Sequence, residues 1–80
     1  MNFASEIKNL RQHCFLSQES FARELNVSFS SVNRWEGGRA KPNLAGIKSI
    51  KEFCEAHNMD FSPIEKAWFA YGKEGSDDSE

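Results

Sequence analysis

The stretch that decides the fold is residues 17–36, SQESFARELNVSFSSVNRWE, which holds two short helical patterns with almost nothing between them. In each pattern the apolar residues recur at spacings of three and four, which places them on one face of a helix. They are Phe21, Ala22 and Leu25 in the first pattern, and Val32 and Trp35 in the second. The sequence therefore predicts one helix over residues 18–25 and another over residues 29–36.

Only Asn26-Val27-Ser28 separates these two helices. So short a joint forces the helices to cross steeply, as in a helix-turn-helix. Such a turn needs a residue at positive φ, a conformation that glycine adopts most easily and asparagine next. We expect Asn26 to take that conformation, Val27 to point inward, and Ser28 to cap the second helix of the pair.

The outer face of the helix over residues 29–36 carries short polar side chains and one arginine. At about 100° per residue, the side chains away from Val32 are Ser30, Ser31, Asn33 and Arg34. These residue types hydrogen-bond to base edges and phosphates. A serine-rich helix that merely faces water is the alternative. The tight turn before it and the basic loop after it, GGRAKP, favour nucleic acid.

Charge is distributed unevenly along the 80 residues, although the net charge is only −2. Residues 1–42 hold six basic and four acidic residues, a net charge of +2, and residues 43–80 hold four basic and eight acidic residues, a net charge of −4. For judging a nucleic-acid partner, this asymmetry between the two halves is more informative than the net charge.

The length allows one small domain. No apolar run approaches the ~20 residues of a membrane span, and the charged N-terminus is unlike a signal peptide, so we expect a cytoplasmic protein.

The two cysteines, Cys14 and Cys54, are too few for a disulfide framework. They lie on predicted helix faces beside apolar residues and are expected to act as small hydrophobic side chains. A zinc site built with His13 and His57 is disfavoured, because adjacent residues on a helix point in different directions while zinc ligands must converge. We expect no metal and no cofactor.

Helical spacing extends the prediction to five helices, an all-α fold. The first spans residues 3–14 behind an Asn2 cap. The fourth follows Asn43, with apolar positions Leu44, Ile47, Ile50 and Cys54 and with Phe53 beside them, and Asn58 is expected to end it in the left-handed conformation. The fifth is predicted to start at Ser62 as N-cap, with Pro63 in the first helical position. We predict one domain over residues 1–71 and an acidic disordered tail over residues 72–80.

The segment SQESFARELNVSFSSVNRWEGGRAKP resembles the helix-turn-helix of the Cro/C1-type (XRE) family of bacterial and phage DNA-binding domains. The shared pattern is Ser-Gln-x-x-hydrophobic-Ala, Val at the turn, and Trp-Glu-x-Gly…Pro after the third helix. With the flanking helices, the resemblance covers residues 3–60. It implies a five-helix lambda-repressor-like bundle that binds double-stranded DNA with its third helix in the major groove, as a transcriptional regulator and more specifically a repressor.

The resemblance also implies roles for particular residues. Those matching Phe29, Ser30 and Arg34 face bases, and Asn33 joins them from the outer face of the helix. The residues expected at the DNA backbone are Gln18, Ser28, Ser31, Arg39 and Lys41. Arg11 and Glu36 occupy the positions of a structural ion pair between the first helix and the loop after the third.

Three positions depart from the family pattern. Asn26 replaces the usual glycine of the turn, and Phe15 stands where a glycine often ends the first helix, so we expect an unusual corner there. Phe29 stands where many relatives have a polar base reader. It either contacts a thymine methyl group or tucks inward beside Val32.

Two other functions compete with DNA-binding regulation. A helix-turn-helix fold can serve as a protein-interaction module, or as the DNA-binding front domain of a longer protein. An enzyme is not expected, because the sequence shows no nucleophile–base pair, metal set or phosphate-binding glycine loop.

A homodimer on DNA is expected through the fifth helix. One face of this helix carries Ile64, Ala67, Trp68 and Tyr71, with Phe69 off it. A small core has room for one such stripe, and exposed large aromatic residues commonly mark interfaces. We therefore place Trp68 or Phe69 at the centre of the interface. In the alternative, the stripe packs on the first helix and Phe69 is an isolated surface residue.

Overall fold

A computed structural model describes residues 2–71 of the chain, and within that range all regular structure is helical. The five helices are α1 (Phe3–His13), α2 (Gln18–Leu25), α3 (Phe29–Glu36), α4 (Leu44–Ala56) and α5 (Ser62–Ala70). The all-α, five-helix prediction is confirmed. The predicted acidic tail, residues 72–80, lies outside the described residues.

Side-chain oxygens cap the first four helices at their N-termini, as the sequence predicts. Asn2 and Asn43 accept hydrogen bonds from the amides of Ser5 and Gly46, each at 2.9 Å. Ser17 accepts from the amide of Ser20 at 3.0 Å, in the same i to i+3 pattern. Each cap satisfies one of the amide groups that a helix start leaves without an intrahelical partner.

The start of α5 differs from the prediction that Ser62 is its N-cap. Phe61 occupies the capping position and makes no side-chain cap, and Ser62 is already helical. The carboxylate of Asp60 accepts the Ser62 amide at 3.0 Å. Because Asp60 satisfies that amide, the helix begins one residue earlier than the Ser-Pro pattern indicates.

Four helices end with a residue in the left-handed conformation, and three of these residues are not glycine. They are Phe15 (φ 58°), Asn26 (φ 61°), Gly38 (φ 77°) and Asn58 (φ 58°). Each is followed by an amide that bonds back five residues, as in Val27 N to Ala22 O at 2.9 Å. The amide of the left-handed residue itself bonds back three residues, as in Asn26 N to Arg23 O at 3.1 Å. Together these two hydrogen bonds form the Schellman motif. It turns the chain sharply and keeps the connections short.

The core is a single cluster with contributions from all five helices. Its buried residues are Phe3, Ile7, Leu10, Phe21, Ala22, Leu25, Val32, Trp35, Ile50, Phe53, Cys54 and Ile64. Phe21 and Phe53 meet edge to face, with ring centroids 5.3 Å apart, a favoured arrangement of aromatic pairs. None of the helices between residues 2 and 71 is long and apolar enough to cross a membrane.

Leu44 is a correction to the predicted apolar stripe of α4, because 74% of it is exposed. The first turn of α4 turns Gly46 inward instead. A Cβ on Gly46 would lie 2.8 Å from Pro42 Cβ and 3.6 Å from Trp35 Cζ2. Leu44 and Gly46 are two residues apart and therefore lie on nearly opposite faces of α4. Because Gly46 faces Pro42 and Trp35, Leu44 faces the solvent.

The apolar stripe of α5 is used inside the monomer. Ile64 is buried, and Ala67, Trp68 and Tyr71 are partly buried against the core, where α5 packs on α1. Phe69 remains 63% exposed and meets the Trp68 ring edge to face at 5.1 Å. The stripe is therefore not free to form the dimer interface expected from the sequence. Of the apolar residues named on α5, only Phe69 remains largely exposed.

Candidate nucleic-acid interface

The joint between α2 and α3 has the predicted geometry. Asn26 ends α2 at φ 61° and ψ 42°. Val27 is partly buried and packs against the core. Ser28 accepts the amide of Ser31 at 3.1 Å and so caps α3. Because each of these residues satisfies a local requirement of the turn, α3 is held at a fixed orientation to α2.

This orientation presents one polar face of α3 to the solvent. Val32 is fully buried and Trp35 is 6% exposed, whereas Ser30, Asn33 and Arg34 are exposed. Ser31 is partly exposed, and its hydroxyl lies 2.9 Å from that of Ser28. The face is free of unpaired acids, and it can offer hydroxyl, amide and guanidinium groups to a partner.

Phe29 lies at the edge of this face rather than in the core. It is the first residue of α3 and is 50% exposed. The alternative in which it tucks inward beside Val32 is therefore not what the structure shows. Its exposed part can make an apolar contact with a ligand bound to α3.

A chain of hydrogen bonds links the polar face to the first two helices. Arg39 Nη2 donates to Asn33 Oδ1 at 3.4 Å. Asn33 Nδ2 donates to Gln18 Oε1 at 3.2 Å, and Gln18 Nε2 donates to Glu36 Oε1 at 3.0 Å. Glu36 in turn binds Arg11. The five side chains come from α1, the start of α2, α3 and the loop after it, so these five of the predicted residues form one connected network.

The two residues assigned to a structural ion pair are in direct contact. Arg11 Nε lies 2.7 Å from Glu36 Oε2, and the side chains are 13% and 5% exposed. Arg11 Nη2 donates to Glu36 Oε1 at 3.0 Å, and Nη1 donates to the carbonyl of Leu16 at 2.8 Å. The hydrogen bond that Arg11 donates to the Glu36 carboxylate raises the pKa of Arg11 above its ordinary value. The pair neutralises the one acid of α3 and fastens its C-terminal end to α1.

Lys41, which the sequence assigns to the DNA backbone, is engaged within the fold by the end of α5. Its ammonium donates to the carbonyls of Trp68 at 3.1 Å and Tyr71 at 3.3 Å. It also lies 4.2 Å from the centroid of the Trp68 ring. A cation is stabilised there by the carbonyl end of a helix and by the aromatic face. We therefore assign Lys41 to holding α5, and Arg39 remains as the exposed cation of the loop.

The electrostatics of the surface suit an anionic ligand. Arg34 and Arg39 are exposed on it, and α3 has no acid in its first turn. Within residues 2–71 no group of three or more His, Cys, Asp or Glu side chains is placed to hold a metal ion. The cations of the surface can contact phosphates, and its short polar groups can contact base edges.

Comparison with known proteins agrees with this geometry. A helix-turn-helix family model matches residues 7–55. The chain therefore belongs to the helix-turn-helix family of the Cro/C1 (XRE) type, whose members are DNA-binding transcription regulators.

Two curated relatives illustrate the match. The HTH-type transcriptional activator BcrR of Enterococcus faecalis is 36% identical over 53 residues, which are 66% of this chain and 26% of that protein. The uncharacterized HTH-type transcriptional regulator YiaG of Escherichia coli strain K12 is 40% identical over 47 residues, which are 59% of this chain and 49% of that protein. The chain thus spans about a quarter to a half of these relatives. No solved structure matches the chain significantly.

Two sets of contacts in the site are not predicted by the sequence. One is the bridge from Gln18 to Asn33, which joins residues 15 positions apart. The other is a set of contacts from Trp68 and Tyr71 to the loop after α3. The local pattern gives no signal for the first, because Gln18 and Asn33 lie on different helices. Nothing in the local pattern signals the second, because the residues in contact are 26 and 33 positions apart.

Proposed function

We propose that this chain binds double-stranded DNA in a sequence-specific manner, with α3 in the major groove, as the DNA-binding domain of a transcriptional regulator. The observation that carries the proposal is the exposed polar face of α3, held by the tight turn at Asn26 and by the ion pair at its far end. A helix with fixed orientation and an outward row of hydroxyl, amide and guanidinium groups fits the width and the hydrogen-bonding pattern of that groove.

The proposed division of roles follows exposure. Ser30 and Arg34 read bases, and Phe29 contacts a thymine methyl group from the N-terminal end of α3. Gln18 and Arg39 contact phosphates on either side of the helix. Asn33 is bonded to both of them, so it keeps these two side chains in register and can turn to a base when DNA is present. Ser28 and Ser31 stand at the start of α3 as further hydroxyl donors to the backbone.

The proposed direction of regulation is repression. A domain bound to a promoter blocks access to it by occupancy alone, whereas activation requires a further surface that recruits another protein. The relative from Enterococcus faecalis is named an activator, but the matched segment is 26% of its length. DNA binding also supports the expected cytoplasmic location in a bacterial cell.

We further propose that the chain binds DNA as a homodimer through Phe69. One helix-turn-helix reads few base pairs, and two-fold dimers place recognition helices one DNA turn apart, about 34 Å. Phe69 is 63% exposed on α5, with its ring against Trp68. Exposed aromatic side chains are enriched at such interfaces.

Selection of bound duplexes from a random-sequence pool tests the proposal. The expected result is recovery of a short motif, repeated as two half-sites about 10 base pairs apart. The selected duplex should resist competition from excess unrelated DNA in a gel shift. Recovery of single half-sites would remove the dimer and keep DNA reading. A pool that yields no motif, with binding abolished by competitor, would favour a protein-interaction module instead.

A further inference from the structure

The loop that carries Arg39 is bound at several points to the C-terminal end of α5. This loop, residues 37–43, joins α3 to α4 and will be called the α3–α4 loop. The indole N–H of Trp68 donates to the carbonyl of Pro42 at 2.8 Å. The hydroxyl of Tyr71 donates to the carbonyl of Gly38 at 3.2 Å. Lys41 completes the set by donating to two carbonyls at the end of α5.

These contacts bracket Arg39. Gly38 lies immediately before it, and Lys41 and Pro42 lie shortly after it, so α5 holds the backbone on both sides. The loop starts with Gly37-Gly38, and Gly38 adopts φ 77°. Glycine pairs leave a backbone with many accessible conformations. The hydrogen bond from the Arg39 amide to the Arg34 carbonyl restrains only the start of the loop. The contacts from α5 restrain the backbone on both sides of Arg39 and so keep its side chain beside Asn33.

The end of α5 is itself a firm support for the loop. Ala67, Trp68 and Tyr71 are partly buried against the core, and the helix packs on α1. Through Arg11, α1 also holds Glu36, the last residue of α3. The α3–α4 loop therefore begins at the end of α3, which is bound to α1. The loop is also hydrogen-bonded to α5, which packs on α1 as well. Its geometry is set by α1 and α5 together.

On the basis of the proposed function, we infer that Trp68 and Tyr71 are positioning residues for DNA binding. They touch no DNA; they hold the α3–α4 loop so that Arg39 meets a phosphate without first being ordered. Ordering a flexible loop on binding costs affinity, and a preorganised loop avoids that cost. The inference gives Trp68 a role within one monomer, in place of the centre of a dimer interface.

The inference predicts how affinity depends on these side chains. Tyr71→Phe removes only the hydroxyl, and it should weaken binding about 3-fold, since a single neutral hydrogen bond contributes little. Adding Trp68→Phe removes the second contact, and the pair should weaken binding about 10-fold. The dependence of affinity on salt should become shallower and approach that of Arg39→Ala, because a misplaced arginine releases fewer counterions.

The test is a double-mutant cycle with Arg39→Ala, using a duplex selected from a random pool with the parent chain. Ser62→Ala, a hydroxyl deletion at the opposite end of α5, serves as the control and should bind like the parent. Thermal unfolding is measured for every variant, so that binding is compared at a temperature where all are folded. In the Arg39→Ala background, Tyr71→Phe and Trp68→Phe should cause no further loss of affinity.

Two results would overturn the inference while DNA binding stands. In the first, the folded variants bind with the affinity and salt dependence of the parent. In the second, their losses multiply with that of Arg39→Ala, which means that they act independently of Arg39. If the parent itself selects and binds no duplex, the proposed function fails, and this inference fails with it.

Discussion

The carboxylate of Glu36, at the end of α3, accepts two hydrogen bonds from the guanidinium of Arg11 on α1, at 2.7 and 3.0 Å. A third comes from the amide of Gln18, the first residue of α2, at 3.0 Å. One side chain thus joins the three helices that present the proposed interface. Since the carboxylate is 5% exposed, its charge is compensated almost entirely by these partners.

Arg11→Met should destabilise the fold by about 3 kcal/mol, because it leaves a nearly buried carboxylate without its cation. The double variant Arg11→Met with Glu36→Gln removes the charge as well and should recover part of that loss. Denaturant unfolding of the parent, both single variants and the double variant measures the difference. Equal stability of Arg11→Met and the double variant would show that the unpaired charge carries no cost.

Lys41→Met should lower the free energy of unfolding by about 1–2 kcal/mol, since the ammonium makes two hydrogen bonds and lies over an aromatic ring. Lys51→Met is the matched control. Lys51 is 58% exposed on α4, with a 3.7 Å ion pair to Glu55. Its loss should cost less than about 0.5 kcal/mol. Similar effects of the two substitutions would contradict the structural role of Lys41.

The local pattern of the sequence predicted the helices and their caps because both depend on neighbouring residues. Asn2, Ser17, Ser28 and Asn43 act on amides three positions away, and Asn26 acts on the turn in which it stands. The family pattern added the ion pair of Arg11 and Glu36, which no local rule indicates.

What the sequence could not predict depends on distant contacts. Lys41 looked like a free cation in a basic loop, but its partners lie 27 and 30 positions later. Leu44 fitted the spacing of the α4 stripe, yet the approach of Pro42 to Gly46 turned that face away from the core. Spacing shows which residues share a helix face, and only packing shows which face is buried.

Phe15→Gly should stabilise the protein by about 1 kcal/mol, because Phe15 adopts φ 58° and a left-handed residue with a side chain is strained. Its ring is 94% exposed, so little packing is lost. Phe15→Ala keeps a Cβ in the same conformation and should give no comparable gain. Thermal unfolding of both variants measures this, and equal gains from the two would show that the backbone conformation is not the cause.

Alkaline pH should destabilise the protein through Cys54. Burial raises the pKa of this thiol from an ordinary 9.0 to about 11. The folded state therefore keeps the proton that the unfolded state releases, so the stability associated with this group is complete below pH 9 and is lost as the pH rises towards 11.

Unfolding free energies of the parent and of Cys54→Ala, measured between pH 8 and 11, isolate this effect. The variant starts from a lower stability because of its cavity, but its stability should fall less steeply with pH. Parallel curves for the two proteins would show that Cys54 does not titrate differently on unfolding.

The central claim is that α3 reads DNA sequence, and base preference after Arg34→Ala tests it most directly. Duplex selection is repeated with this variant and with Arg39→Ala, which removes the same charge from the α3–α4 loop. A bidentate arginine–guanine contact contributes about 1–3 kcal/mol of discrimination. Arg34→Ala should therefore lose preference at one or two base pairs, while Arg39→Ala should weaken binding to all duplexes and keep the parent motif. A motif unchanged by Arg34→Ala, with affinity lowered equally on every duplex, would contradict base reading by α3.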